Sequence, residues 1–323
     1  WKNGGRNITA IDLAYGDDTA PLQVADFTGS LSACTSFTAN SRNLVNAYLG
    51  NLGVGAKADV SINNYNTGTL KIVDFSGAKA VRYNGSNHFG SVSINSNNLP
   101  SLDLSDLTIT TLNLDSSRGL SLLNIDRCSF NTFNFDASNN TLYNGLPINT
   151  VFNNVSCTGT FTAANNKSNK DLTFNSCYIQ YPYIAGNSSL SSVTINNPLY
   201  TNSVGDFSSN VLTQFSINGG VTTPFTSLNL SNNKLTTLNF ASRNWGSSLT
   251  LTNNSNPLNT LTNSGTGSYY TGTIFLQNMT GKLSSFNSST LKLSAGYYTF
   301  YNAPSITNID ISGDPVWQGF SAS

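Results

Sequence analysis

The sequence predicts an all-β fold, a single elongated repeat solenoid with two short parallel strands in each coil of about 21 residues and little or no helix. Three observations carry that expectation. Apolar residues recur in pairs two apart, as in Leu228/Leu230, and the pairs return every ten or eleven residues. Side chains alternate along an extended backbone, so each pair marks one buried stripe on one short strand. Helix-favouring residues are scarce, with no Glu and a single Met, while Asn, Ser, Thr and Gly abound. Finally, a recurring Asn stands between the pairs, Asn233 in FTSLNLSNNKLTTLNF being the clearest case.

Taken in order, residues 1–23 are expected to form an N-terminal cap, with Ile8, Ile11 and Leu13 supplying a first apolar step. The solenoid follows over 24–311. Its early pairs are Phe37/Ala39, Ala47/Leu49, Val60/Ile62 and Leu70/Ile72. The most regular run is Val92/Ile94, Leu102/Leu104, Leu112/Leu114, Leu123/Ile125 and Phe133/Phe135. Two successive steps make one coil, so alternate strands should stack on the same face. The rhythm breaks near 139–150, 219–224 and 253–273, which read as insertions or loops because they are rich in Gly, Asn, Ser and Thr. Between the breaks lie Phe161/Ala163, Leu172/Phe174, Tyr183/Ala185, Val193/Ile195, Val204/Asp206 and Phe215/Ile217. After the last break come Ile274/Leu276, Thr299/Tyr301 and Ile309/Ile311, and residues 312–323 form a C-terminal cap or tail.

The hallmark L-x-x-L-x-L-x-x-N-x-L stands in FTSLNLSNNKL from Phe225, in LPSLDLSDLTI from Leu99 with Leu107 at the Asn place and, imperfectly, in ITNIDISGDPV from Ile306. The chain thereby resembles leucine-rich-repeat proteins and is similar to the compact repeats of bacterial surface proteins. The resemblance implies that the Asn position is a structural ladder bonding the turn backbone, with Cys as a substitute. That ladder would comprise Asn97, Cys128, Asn166, Cys177, Asn233 and Asn254, interrupted at Leu107 and Gly296.

Charge narrows the function classes. The 323 residues carry 15 basic and 15 acidic groups, all the acids being Asp, for a net charge of zero. With no basic cluster there is no electrostatic footprint for nucleic acid, and none for a charged membrane surface. No apolar run reaches the length of a membrane-spanning helix, so membrane insertion is not expected. The four cysteines show no C-x-x-C spacing and His88 has no companion ligands, so no metal and no cofactor is expected. Cys128 and Cys177 fit inward ladder positions, and the doublet Asp17-Asp18 reads as a turn before it reads as a calcium ligand.

Two opposed carboxylates could make a polysaccharide-active enzyme. The available pairs are Asp103/Asp126 and Asp115/Asp136, each about one coil apart. Proximity of that kind follows from any repeat, and no catalytic residue is assigned. Aromatic residues are the stronger lead, because exposed Tyr and Trp anchor protein and sugar partners. Tyr178, Tyr181, Trp245, Tyr269 and Tyr270 are the ligand-binding candidates, whereas Tyr183, Tyr298 and Tyr301 fall at inward positions. The expected function is non-enzymatic: an extracellular, cell-surface or virion-surface protein that binds a cell-surface protein or glycan. The alternatives are a structural subunit of a filament or particle, associating with its own copies, and the Asp-pair enzyme.

Overall fold

The computed structural model describes residues 8–14, 23–27, 33–41, 43–49, 52, 57–64, 70–76, 89–96, 99–115, 120–136, 146–147, 149–201, 203–220, 225–239, 246–252, 254, 260–262, 269–277, 285–287, 293–302, 306–311 and 318–322. Every element among them is a β-strand, and the described pairings are parallel. The strands stack as a β-solenoid in each of two compact units, Trp1–Thr162 and Ala163–Ser323.

The first unit holds β1 (Ala10–Ala14), β2 (Val24–Asp26), β3 (Ser36–Asn40), β4 (Asn46–Tyr48), β5 (Ala58–Asn64) and β6 (Ile72–Asp74). It continues with β7 (Phe89–Ser96), β8 (Ser101–Asp103), β9 (Thr108–Asn113), β10 (Leu122–Asn124), β11 (Ser129–Asp136) and β12 (Asn149–Asn153). Odd strands stack in the order β1-β3-β5-β7-β9-β11, while even strands form β2-β4-β6 and β8-β10. Sequence steps of ten and eleven thus alternate between two faces. The boundary between units falls within β13 (Ser156–Ala164).

The second unit contains β14 (Asp171–Asn175), β15 (Tyr178–Tyr183), β16 (Ser192–Asn196), β17 (Ser203–Asp206), β18 (Gln214–Asn218), β19 (Phe225–Asn229) and β20 (Thr237–Asn239). It ends with β21 (Gly246–Thr250), β22 (Thr260–Thr262), β23 (Tyr269–Gln277), β24 (Ser285–Asn287), β25 (Leu293–Tyr301), β26 (Asn308–Asp310) and β27 (Gly319–Ala322). Odd strands β15 to β27 form one sheet in chain order, and the even strands form β14-β16-β18, β20-β22 and β24-β26. β12 begins within the segment expected to be an insertion at 139–150, and β22 and β23 run through the one at 253–273. A Gly- and Ser-rich composition does not prevent pairing when both neighbouring coils already offer a ladder.

Between the faces the core is built from the inward apolar pairs of successive strands, such as Leu112/Leu114 and Leu228/Leu230. Phe133, Phe152 and Phe161 meet in the first unit, with Phe133 and Phe161 stacked at 4.5 Å and 11°. In the second, Tyr200, Phe207 and Phe225 meet edge to face. Each buried Phe contributes roughly 1.5–3 kcal/mol through burial alone. Such stacks therefore hold successive coils together where charge cannot.

The corners follow one recipe. The last residue of a strand is Asp or Asn, and its side chain accepts the N–H two residues on: Asp103 from Ser105 at 2.9 Å, Asp206 from Ser208 at 2.9 Å, Asn229 from Ser231 at 3.0 Å. This Asx turn reverses the chain locally. The next residue but two takes a left-handed conformation although it is not Gly, as at Asp106 (φ 63°), Arg127 (φ 56°), Ser209 (φ 57°) and Asn232 (φ 56°). A residue pointing inward then follows, namely Leu107, Cys128, Asn210 and Asn233 respectively.

Those inward residues form two columns where the sequence suggests one ladder. After odd strands of the second unit stand Asn166, Asn187, Asn210, Asn233 and Asn254, all buried; in the first unit the buried Asn64 closes β5 itself, one place earlier, and donates to Ser41 O and Leu44 O of the preceding coil. Asn233 donates to the carbonyls of Phe207 (2.9 Å), Leu230 (3.0 Å) and Ser231 (3.1 Å) and accepts the Leu212 N–H (3.2 Å). After even strands stand Leu107, Cys128 and, in the second unit, Cys177, an apolar and thiol column. Cys128 Sγ donates to Leu104 O at 2.7 Å. Asn97 lies outside the described residues. Asn187 and Asn210 are ladder members that the apolar pattern alone does not reveal.

Candidate interaction face

One broad face of the odd sheet in the second unit carries the exposed aromatic side chains. In β15 Ile179 is buried, the alternation then shifts by one residue, and Pro182 is buried while Tyr181 and Tyr183 turn outward, each 43% exposed. β25 buries Tyr298 and Phe300 and exposes Tyr297 (50%) and Tyr301 (53%). Tyr298 is inward as expected. Tyr183 and Tyr301, expected inward, are on the surface, and so are Val204 and Ile72.

The corrections at Tyr183 and Val204 share a cause, whereas Ile72 and Tyr301 stand next to inward apolar residues, Val73 and Phe300, that compete with them in the pattern. The sequence reading anchors each coil on apolar residues, and where the inward residue is not apolar the pattern slips by one, which in a strand exchanges the two faces. Asn187 and the left-handed Gly186 (φ 72°) set the true register of β15: Ile184 takes the place of Leu230 and Pro182 that of Leu228. In β17 the inward residue is Gly205. A Cβ there would lie 2.6 Å from Phe225 Cε1 and 3.0 Å from Phe207 Cε2, so glycine makes room for two buried rings. An inward glycine leaves no hydrophobic signal. The ladder asparagines, counted backwards by three and five residues, would have located the inward positions.

Backbone pairing sets the outward side chains in rows across the strands. Tyr183 faces Asp206, and the exposed Tyr181 and Val204 each stand two residues earlier on the same two strands. Val204 faces Ser227, Ser227 faces Ser248, Ser248 faces Thr273 and Thr273 faces Tyr297. Ser227 and Ser248 share a hydrogen bond of 2.7 Å between their hydroxyls. The Tyr181 hydroxyl accepts from Gln180 Nε2 at 3.2 Å.

Of the other candidates, Tyr178 opens β15 half-buried. Tyr269 and Tyr270 are strand residues of β23, opposite Leu293 and Ser294, and not loop residues. Trp245, His88, Asp17 and Asp18 lie outside the described residues. The face is therefore built from Tyr181 together with Tyr183, Val204, Tyr297 and Tyr301, which sequence reasoning missed or turned inward.

The carboxylates are committed to corners. Asp103 accepts both the N–H and the hydroxyl of Ser105, and its register partner is Asn124, not Asp126. Arg127 clamps Asp106 through Nε (2.7 Å) and Nη2 (2.8 Å) and also pairs with Asp126. The hydrogen bonds and charge of Asp106, then the charge of Asp126, hold its guanidinium still further above its already high pKa. Asp115 and Asp136 are adjacent, but Asp115 accepts the Asp136 N–H (3.0 Å) and Asn134 Nδ2 (2.9 Å). Burial raises the Asp115 pKa, the Asp136 N–H opposes the rise, and the Asp136 charge adds to it.

All four cysteines are buried and unpaired with one another, and burial pushes the Cys157 thiol up to about 11. Among the described residues no cluster of three or more His, Cys or Asp side chains is set to hold a metal ion, and no helix is long and apolar enough to cross a membrane. Comparison with protein-family models, curated proteins and solved structures finds no match for this chain.

Proposed function

We propose that the protein is a non-enzymatic interaction scaffold of the cell exterior or of a virion surface, and that the outer odd face of its second unit binds a cell-surface partner. The observation that carries this reading is the gathering of Tyr181, Tyr183, Tyr297 and Tyr301 on one sheet face, each at least 43% exposed. Tyr offers a large, rigid contact area at low entropic cost and a hydroxyl at its tip. The reading is supported further by the employment of the Asp103 and Asp115 carboxylates in backbone hydrogen bonds and of Asp126 in a pair with Arg127. The leucine-rich-repeat-like spacing fits the same role, since stacked repeats provide extended binding surfaces.

An array displaying glycans and cell-surface proteins tests it. Wild-type protein should bind a subset of features, and Tyr181→Ala combined with Tyr297→Ala should weaken that binding about tenfold or more. Undiminished binding by the double variant would refute the assignment of this face. The assembly reading has one observation in its favour. Ile11 and Leu13 in β1 are half-buried where their partners Phe37 and Ala39 are fully covered, a surface that a second copy could complete. Particle size that grows with concentration in light scattering would favour that reading.

A further inference from the structure

We infer that the face between Tyr181 and Tyr297 takes an extended, uncharged glycan laid across the strands. This inference rests on the binding role proposed above and specifies the ligand. The row Tyr181, Val204, Ser227, Ser248, Thr273, Tyr297 offers one side chain per strand. Strand spacing of about 4.8 Å makes it about 24 Å from end to end.

The distribution of chemistry along the row identifies the ligand class. Aromatic rings stand at the two ends, and three hydroxyls occupy the middle. A protein interface has the opposite anatomy, an apolar centre with a polar rim. A sugar chain matches the row as it stands. Its ring faces are apolar and pack on Tyr, its hydroxyls both donate and accept, and a sugar unit in an extended chain advances by close to one strand step.

Charge selects within the glycans. The row holds no ionisable group other than the Tyr hydroxyls. The adjoining row, from Tyr183 through Asp206, Asn229, Thr250 and Phe275 to Thr299, holds one carboxylate and no cation. The Asp206 carboxylate already accepts from Ser208 N–H and Asn229 Nδ2. An acidic polysaccharide or nucleic acid would find no Lys or Arg in either row to neutralise it. A neutral chain loses nothing there.

Isothermal titration of the full chain with soluble β-glucan, mannan and xylan, and with alginate as the acidic comparison, tests the inference. At least one neutral polymer should bind, and alginate should bind more weakly. Tyr181→Ala and Tyr297→Ala should each lower affinity about tenfold. Ser248→Ala should lower it about threefold through the lost hydroxyl. Oligomers of the bound polymer should gain affinity up to about five or six units, the span of the row, and then level off. Unchanged thermal melting of these exposed-site variants separates loss of binding from loss of fold. Preferential alginate binding, or neutral-glycan binding indifferent to both Tyr substitutions, would overturn the inference. A partner on the protein array whose binding depends on the tyrosines, with no neutral glycan bound, would also overturn it while leaving the binding role standing. Tyr-independent binding throughout would sink both.

Discussion

Replacing Asn233 with Ala should destabilise the second unit by about 2–4 kcal/mol, and the structure shows where the loss falls. The Asn233 amide donates to three carbonyls, but each has a second donor. Phe207 O keeps Asn210 Nδ2 at 2.8 Å, Leu230 O keeps Asn254 Nδ2 at 3.3 Å, and Ser231 O keeps Ser209 N–H at 2.9 Å. The Leu212 N–H is different, because Asn233 Oδ1 is the acceptor it faces. Stranding a buried N–H costs about 1–3 kcal/mol, and the lost donor bonds and side-chain contacts add the remainder. Urea unfolding followed by far-UV circular dichroism gives the total, and hydrogen exchange should accelerate selectively at the Leu212 amide. Asn233→Asp makes the logic sharper. It keeps an acceptor for Leu212 but turns a carboxylate towards three carbonyl oxygens, so at pH 7 it should be worse than Ala and should recover as the carboxyl protonates. A loss below about 0.5 kcal/mol for Ala, or an Asp variant milder than Ala at pH 7, would refute the ladder as the source of corner stability.

Two further outcomes follow from buried crowding and from buried charge. Gly205→Ala should cost about 1–3 kcal/mol, because its Cβ would enter the Phe225 ring, and a double-mutant cycle with Phe225→Leu should recover much of the loss. Simple additivity of the two changes would contradict that account. Asp115 has a raised folded pKa, so the folded state holds its proton more tightly than the unfolded chain and stability falls as pH rises through that window. Asp115→Asn should therefore raise the urea midpoint at pH 7, and the gain should shrink towards zero below the ordinary carboxylate value of 3.8. A gain independent of pH would rule out charge burial as its origin.

Much of the fold is legible in the sequence because the repeat unit is short and most strands bury a pair of apolar residues two apart. Pairs such as Leu102/Leu104 and Leu228/Leu230 are buried as the pattern requires. Part of what the pattern misses lies where the inward residue is Pro182 or Gly205, neither of which carries a strong hydrophobic signal, and part where adjacent apolar residues compete, as at Ile72/Val73 and Phe300/Tyr301. The interaction face was legible only in part for the same reason. Tyr181 falls outside the apolar pairs of the sequence and so stands out as a candidate, but Tyr183 and Tyr301 are drawn into those pairs and change sides when a strand slips by one. Nor can one row of six be seen in a linear sequence in which its members lie more than twenty residues apart.

The asparagine column also has a direction. Asn187 donates to Ala163 O, Asn210 to Ile184 O, Asn233 to Phe207 O and Asn254 to Leu230 O, in every case to the preceding coil. Their acceptor oxygens point the same way: Asn187 Oδ1 takes the Asn166 N–H, Asn210 Oδ1 the Asn187 N–H and Asn233 Oδ1 the Leu212 N–H. Each of these four asparagines thus docks onto structure made earlier in the chain, while Asn166 below them donates forward to Asn187 Oδ1. A nascent chain emerging from the ribosome can fasten every coil as it arrives, with its amide already satisfied before the next coil is synthesised. Trimming coils from the carboxyl side leaves Asn187, Asn210 and Asn233 with their donor bonds, whereas removing one from the amino side takes away the bond to the preceding coil and leaves Asn210 and Asn233 only the carbonyls of their own coil. The column works as a one-way zipper, closed from its N-terminal end.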